Sequence, residues 1–233
     1  MFDPDKVVEF LNNHTESDRQ IIEIILKHTL YFTTDEVISM VRSAFQKFTK
    51  MVTHYNLWIS TNKIGSEHLM LIHLQDILKP IKVITNYQDI DNDYPIVAID
   101  DAIYSSVYMC GIIDNLIYSS KCKNKFYCVA GICSNLTPDV VTQFNGTIIV
   151  DKCFSDLQAK ILFPDTHMYD KFGCENHEVI PVFFEHKIAN EFGSYQFYHK
   201  LIKNPIDRHR INKISKQDID NLIVNIIKLD NNV

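Results

Sequence analysis

The run Ile96-Val97-Ala98-Ile99, entered from Pro95 and ended by Asp100-Asp101, constrains this chain more than any other stretch. Four consecutive residues without a polar side chain do not alternate as a half-exposed strand would. They predict a strand buried on both faces, as in a parallel sheet covered by helices. Ligands of such sheets sit beyond the carboxyl ends of the strands, so the two carboxylates fall where chemistry is expected. Tyr104-Ser105-Ser106 follows, and then Met109, Ile112, Ile113, Leu116 and Ile117 recur at helical spacing. A helix opened by serines presents free backbone N–H groups and the positive end of its dipole, a setting that suits a phosphate.

The remainder of the chain is read around this unit. Residues 1–54 are expected to be helical throughout, with polar start signals at Thr15-Glu16-Ser17-Asp18 and at Thr33-Thr34-Asp35-Glu36, where Thr33 and Glu36 have capping-box spacing. From Leu57 onward short apolar runs alternate with helical segments, the pattern of an α/β parallel sheet. The expected strands are Leu57–Ser60, Lys82–Thr85, Ile96–Ile99, Phe126–Ile132, Thr147–Val150 and Val179–Phe184, the last on an edge because of Pro181. Ser66 is expected to cap a helix running to Leu78. Residues 151–176 are irregular and receive no element. The expected organisation is one domain over 1–233: a helical N-terminal lobe (1–54), an α/β core (55–188) and a C-terminal extension (189–233).

A formal charge of −6 and a pI near 5.9 weigh against a generic nucleic-acid or anionic-membrane binder, which gains most of its affinity from basic surface. The locally basic tail, with Lys200, Lys203, Arg208, Arg210, Lys213 and Lys216, reads more readily as a solvated helix face than as a nucleic-acid patch. No apolar run approaches a membrane span, and the acidic start Met1-Phe2-Asp3-Pro4-Asp5 is unlike a signal peptide. A cytoplasmic protein without a membrane partner is expected, and its six cysteines are expected to remain thiols.

A strand running into an acidic pair, a short turn and a serine-rich helix start resembles the ligand motif of type I phosphoribosyltransferases. In that family the acidic pair is followed by a Thr/Ser-Gly phosphate loop. Lys63-Ile64-Gly65-Ser66-Glu67, between a strand and a helix, stands where the family has its pyrophosphate loop. Ile180-Pro181-Val182-Phe183-Phe184-Glu185-His186-Lys187 is similar to the closing portion of divergent members with C-terminal extensions. By order of elements the resemblance covers roughly residues 55 to 200.

The resemblance implies a parallel central sheet of that family's kind, Mg²⁺ as cofactor and a small phosphoribosyl or nucleotide ligand. It implies transfer of a phosphoribosyl group to or from a base, and it leaves a homodimer open. Asp100 and Asp101 would be the catalytic carboxylates and metal ligands, holding the ribose hydroxyls and favouring an oxocarbenium-like transition state. Tyr104, Ser105 and Ser106 would address the 5′-phosphate, Lys63, Gly65, Ser66 and Glu67 the pyrophosphate side, and Lys187 the substrate. One departure bears on turnover: Ser106, Val107 and Tyr108 stand where the family has glycine beside its Ser/Thr. Their Cβ atoms restrict the backbone and crowd a phosphate.

Two other classes fit the acidic corner. A catalytically degenerate relative would sense a nucleotide or serve as a protein-interaction module. A receiver-like domain would bind Mg²⁺ at the acidic pair and accept a phosphoryl group on Asp151, although Lys152-Cys153-Phe154 is not the small-residue turn such a site uses. A zinc site drawn from His167, Cys174, His177 and His186 lacks a second closely spaced ligand pair. His68 and His73, five apart, point to different sides of a helix.

Overall fold

The computed structural model describes residues 2–61, 64–90, 93–103, 125–134, 146–154, 182–185, 200–202 and 213–230. Its described elements are α1 (Pro4–Asn12), α2 (Glu16–His28), β1 (Leu30–Phe32), α3 (Thr34–Met51), β2 (Asn56–Trp58), α4 (Ser66–Leu74), β3 (Lys82–Ile84), β4 (Ile96–Ile103), β5 (Phe126–Ser134), β6 (Gly146–Phe154), β7 (Val182–Phe184) and α5 (Lys216–Asp230). They fall into two compact units, one drawn from Met1–Thr34 with Ser155–His209, the other from Asp35–Phe154 with Arg210–Val233.

In the first unit, Thr15 caps α2 through Asp18 N–H at 3.3 Å, as the start signal predicts. The short strand β1 was not anticipated, since it interrupts a segment read as helical. It pairs in parallel with β7, in the register Leu30↔Val182 to Phe32↔Phe184. The stretch ending at Phe184 is therefore a strand, but it belongs to a separate two-stranded sheet and not to the edge of the main one. A short apolar run marks a strand; it carries no information about which strand it will pair with. Beyond β7, Glu185 Oε2 accepts the Thr34 N–H at 2.9 Å, a long-range partner that the expected capping box did not foresee.

The second unit is an α/β structure around a five-stranded, all-parallel sheet in the spatial order β3-β2-β4-β5-β6. All eight residues of β4 are buried, as its apolar run predicts. Strand residues alternate between two faces. On one face Trp58, Ile84, Ile96, Ala98, Phe126, Cys128 and Ala130 share a buried cluster. On the other, α3 brings Phe45 and Phe48 against Tyr55 and Tyr127, with ring centroids 5.1 Å apart for Phe48–Tyr55 and 5.3 Å for Phe48–Tyr127. Helix α3 was assigned to the N-terminal lobe, yet it groups with the sheet because its apolar stripe covers it. Arg42 on α3 clasps Asp76 through two 2.9 Å bonds and the His73 carbonyl at 2.7 Å, tying α3 to the end of α4. Helix α5, opened by the Ser215–Asp218 capping box, contacts α4 and β3 and buries Ile219, Leu222 and Ile226.

Several strand ends differ from the sequence expectation by one to three residues, and three boundaries differ by four. Helix α4 ends at Leu74, four residues before Leu78, in a turn closed by Ile77 N–H on the Leu74 carbonyl at 2.9 Å. Strand β6 continues past Val150 to Phe154, so Asp151 lies within a strand. Strand β4 does not stop at the carboxylates but runs through Asp100 and Asp101 to Ile103.

The ladder is nevertheless interrupted at that level. Paired residues pass from Asp100↔Ala130 to Ala102↔Ile132 without Asp101↔Gly131, and from Ala130↔Val150 to Ile132↔Lys152 without Gly131↔Asp151. A Cβ on Gly131 would lie 3.1 Å from the Asp101 carbonyl oxygen and 3.2 Å from both Met40 Cβ and Val41 Cγ2. Glycine at this point lets α3 approach the sheet closely. Gly131→Ala is expected to cost about 1–3 kcal/mol, because α3 and β4 must both give way. A fall in the urea midpoint at unchanged m-value is the confirming result.

Candidate ligand-binding site

The spatial order of the sheet reverses direction between β2 and β4: from β2 the chain moves outward to β3, and from β4 it moves the other way to β5 and β6. Loops leaving two such neighbouring strands diverge and open a crevice at their carboxyl ends, where ligands of open α/β sheets bind. The loop after β2 leads to Gly65-Ser66-Glu67 at the start of α4, and β4 carries Asp100-Asp101. The two sequence motifs thus meet at the switch point.

Ser66 makes the contact. Its Oγ lies 3.1 Å from Asp100 Oδ1 and 3.2 Å from Asp101 Oδ1, and Ser66, Asp100 and Asp101 are all buried. Asp100 Oδ1 also accepts the Asp101 N–H at 2.8 Å, and Asp101 Oδ1 the Ala102 N–H at 2.7 Å. The carboxylates therefore occupy the backbone donors where the ladder is interrupted. Ser66 is the first residue of α4, with Gly65 preceding it as the N-cap, so its side chain addresses the acidic pair and does not cap the helix as expected.

A serine hydroxyl carries one proton. It can donate fully to only one of the two carboxylates, while two neighbouring anions in a buried site are costly without compensating positive charge. The positive end of the α4 dipole supplies part of it. The donor set also fits Mg²⁺, a hard cation that takes one or two carboxylates and completes its shell with water and ligand phosphates. Among the described residues no group of three or more His, Cys, Asp or Glu side chains could hold a metal ion. A cation at Asp100 and Asp101 would thus draw its other ligands from solvent and substrate. Asp101 has no exposed surface and Asp100 is 7% exposed, so the pair meets solvent through Asp100.

His68, set apart from His73 by their five-residue spacing, has a different role. It is completely buried on α4, and its Nε2 donates to the Ser60 carbonyl at 2.7 Å while Nδ1 accepts the Gly65 N–H at 3.1 Å. One imidazole thus fastens both ends of the loop that joins β2 to α4. Its position as third residue of a helix following glycine was a signal available in the sequence, since that position reaches back to the N-cap N–H. Glu67 Oε1 lies 3.3 Å from the same Nδ1, and the Glu67 carboxylate folds over Gly65 so that a Cβ there would overlap it. The neutral ring serves Gly65; the protonated ring turns to Glu67.

Burial opposes the charge on His68, but the Glu67 carboxylate and the Ser60 carbonyl outweigh it and raise the pKa above its ordinary value of 6.5. A raised folded-state value means that the folded protein holds the proton more tightly. This contribution to stability is complete below the ordinary value and is lost as pH rises through the raised one. The stability difference between wild type and His68→Gln should therefore be largest below the ordinary histidine value and shrink as pH rises above it, which denaturation at a series of pH values measures.

Asp151 is placed differently from the receiver-like expectation. It lies on β6, two strands from β4, where Ser43 Oγ donates to it at 2.6 Å and Lys47 Nζ at 3.1 Å. The Ser43 bond, with Lys47 beside it, outweighs burial and holds the Asp151 carboxyl below the usual range. These contacts tie α3 to the sheet edge, and the β5 backbone separates Asp151 from the acidic pair. Lys63, Tyr104, Ser105, Ser106 and Lys187 lie outside the described residues, as do His167, Cys174, His177 and His186 of the zinc reading. Of the basic tail, Lys213 and Lys216 are exposed at the start of α5, and Lys200 sits 5.9 Å from the Phe10 ring centroid. No described helix is long and apolar enough to cross a membrane.

Comparison of the chain with models of known protein families, with curated proteins and with solved structures gives no match.

Proposed function

We propose that this chain is a divergent phosphoribosyltransferase-like domain that binds a phosphoribosyl compound or nucleotide, with Mg²⁺, at the switch point between β2 and β4. The observation that carries the reading is Ser66 Oγ within hydrogen-bond distance of both Asp100 and Asp101. It joins the helix end of the candidate pyrophosphate loop to the acidic pair, as a ligand spanning pyrophosphate and ribose requires. Asp100, with the pair's exposed surface, would take the ribose hydroxyls or the cation, Asp101 would position it, and the start of α4 would face the pyrophosphate. His68 would hold the loop in register. The proposed setting is the cytoplasm, and the proposed partner is this small ligand.

Two measurements on the full chain test the reading. Calorimetry with phosphoribosyl pyrophosphate should show heat of binding with Mg²⁺ and none with EDTA. Pyrophosphate release on adding each common base then separates a transferase from a sensor. Binding without release assigns the sensor role, which the side chains of Ser106, Val107 and Tyr108 favour. No Mg²⁺-dependent binding of this compound or of a nucleotide would overturn the proposal.

A further inference from the structure

Beyond the ladder interruption at Gly131, strands β5 and β6 pair Cys133 directly with Cys153. Their Sγ atoms lie 3.3 Å apart, neither in a disulfide. The two thiols differ in access: Cys133 is fully buried and Cys153 is exposed. Neighbouring strands run about 4.8 Å apart, which is inside the Cα separation that disulfides span, and closing the S–S bond needs an approach of about 1.2 Å. An accessible thiol backed by a buried one in van der Waals contact is the arrangement of an attacking and a resolving cysteine.

We propose that Cys133 and Cys153 form a redox-active dithiol that reacts with small-molecule disulfides such as oxidised glutathione. Cys153 loses its proton and attacks one sulfur of the oxidant, whose S–S bond breaks and releases one thiol. Cys133 then attacks Cys153 Sγ of the mixed disulfide, and the second thiol departs with the Cys133 proton. The two protein thiols give up two electrons and two protons in total, and the oxidant is reduced to two thiols. The product joins the last strand of the five-stranded sheet to its neighbour, at the end of the sheet that carries the acidic pair. This dithiol goes beyond the ligand-binding reading and is tested without any phosphoribosyl ligand.

The test uses the full chain, reduced, freed of reductant and then equilibrated with oxidised glutathione. Intact mass and a non-reducing peptide map are the readouts. The wild type should lose two hydrogens and yield a linked Cys133–Cys153 peptide without retained glutathione. Dithiothreitol should reverse the change, and Tm should rise by several degrees in the oxidised form, because a closed loop restricts the unfolded chain. Cys133→Ala, which keeps the buried site apolar, should retain glutathione on Cys153. Cys153→Ser should yield neither adduct nor link at Cys133. A stable glutathione adduct on Cys153 of the wild type, a preferred link from either residue to another cysteine, or no oxidation at excess oxidant overturns the proposal. The wild-type map decides the question even if a variant fails to fold.

Discussion

Asp100→Asn combined with Asp101→Asn is expected to abolish Mg²⁺-dependent binding of phosphoribosyl pyrophosphate while leaving the fold at least as stable as the wild type. Asparagine keeps an oxygen that can accept the Asp101 and Ala102 N–H groups and the Ser66 hydroxyl. It removes the two negative charges that a cation needs, which should weaken binding by at least about a hundredfold. Relief of the repulsion between two buried neighbouring carboxylates should add about 1 kcal/mol of stability. Replacing the same pair by alanine should do the opposite. It strands buried donors in β4 at about 1–3 kcal/mol each. Calorimetry and urea unfolding of both double variants give the answer. An asparagine variant that still binds, or that loses as much stability as the alanine variant, would show that the pair exists for the strand and not for a ligand.

Phe48→Ala is expected to be the most damaging single substitution in the core described here, at about 3–5 kcal/mol. Phe48 has no exposed surface and meets Phe45, Tyr55 and Tyr127 at centroid distances of 5.7, 5.1 and 5.3 Å. The ring holds α3 against the sheet, and its two most edge-on contacts add to the loss of buried area. Trp58, the chain's one tryptophan, lies in β2 of the same unit, stacked on Tyr87 at 4.6 Å. Its fluorescence therefore reports unfolding of the sheet unit specifically. This matters because a chain of two compact units need not unfold in one transition. A tryptophan-detected midpoint that barely moves would mean that α3 is not what covers the sheet.

The site divides similarly between what the sequence shows and what it hides. The acidic pair was visible because two adjacent carboxylates end a solid apolar run, and Ser66 was visible as a helix start after glycine. For His68 only half of the role was legible, the reach of a third helical residue back to the Gly65 N–H, because its bond to the Ser60 carbonyl needs the folded loop that brings both backbone groups to one ring. The same holds for Asp151. Its spacing after an apolar run suited a phospho-acceptor, but the groups that engage it, Ser43 and Lys47, lie more than a hundred residues earlier in the chain.

By itself the sequence determined that the central sheet is parallel, that β4 is buried on both faces, where the five central strands fall to within four residues at either end, and that an acidic pair follows the apolar run of β4. Local hydropathy and the period of the chain encode those features directly. Tertiary structure alone decided that β7 leaves the main sheet for β1, that α3 belongs with the sheet, and that one serine hydroxyl is shared between Asp100 and Asp101. The physical reason is that partner choice and register are set by contacts between residues far apart in the chain. An apolar run shows that a strand must be covered, not which element will cover it.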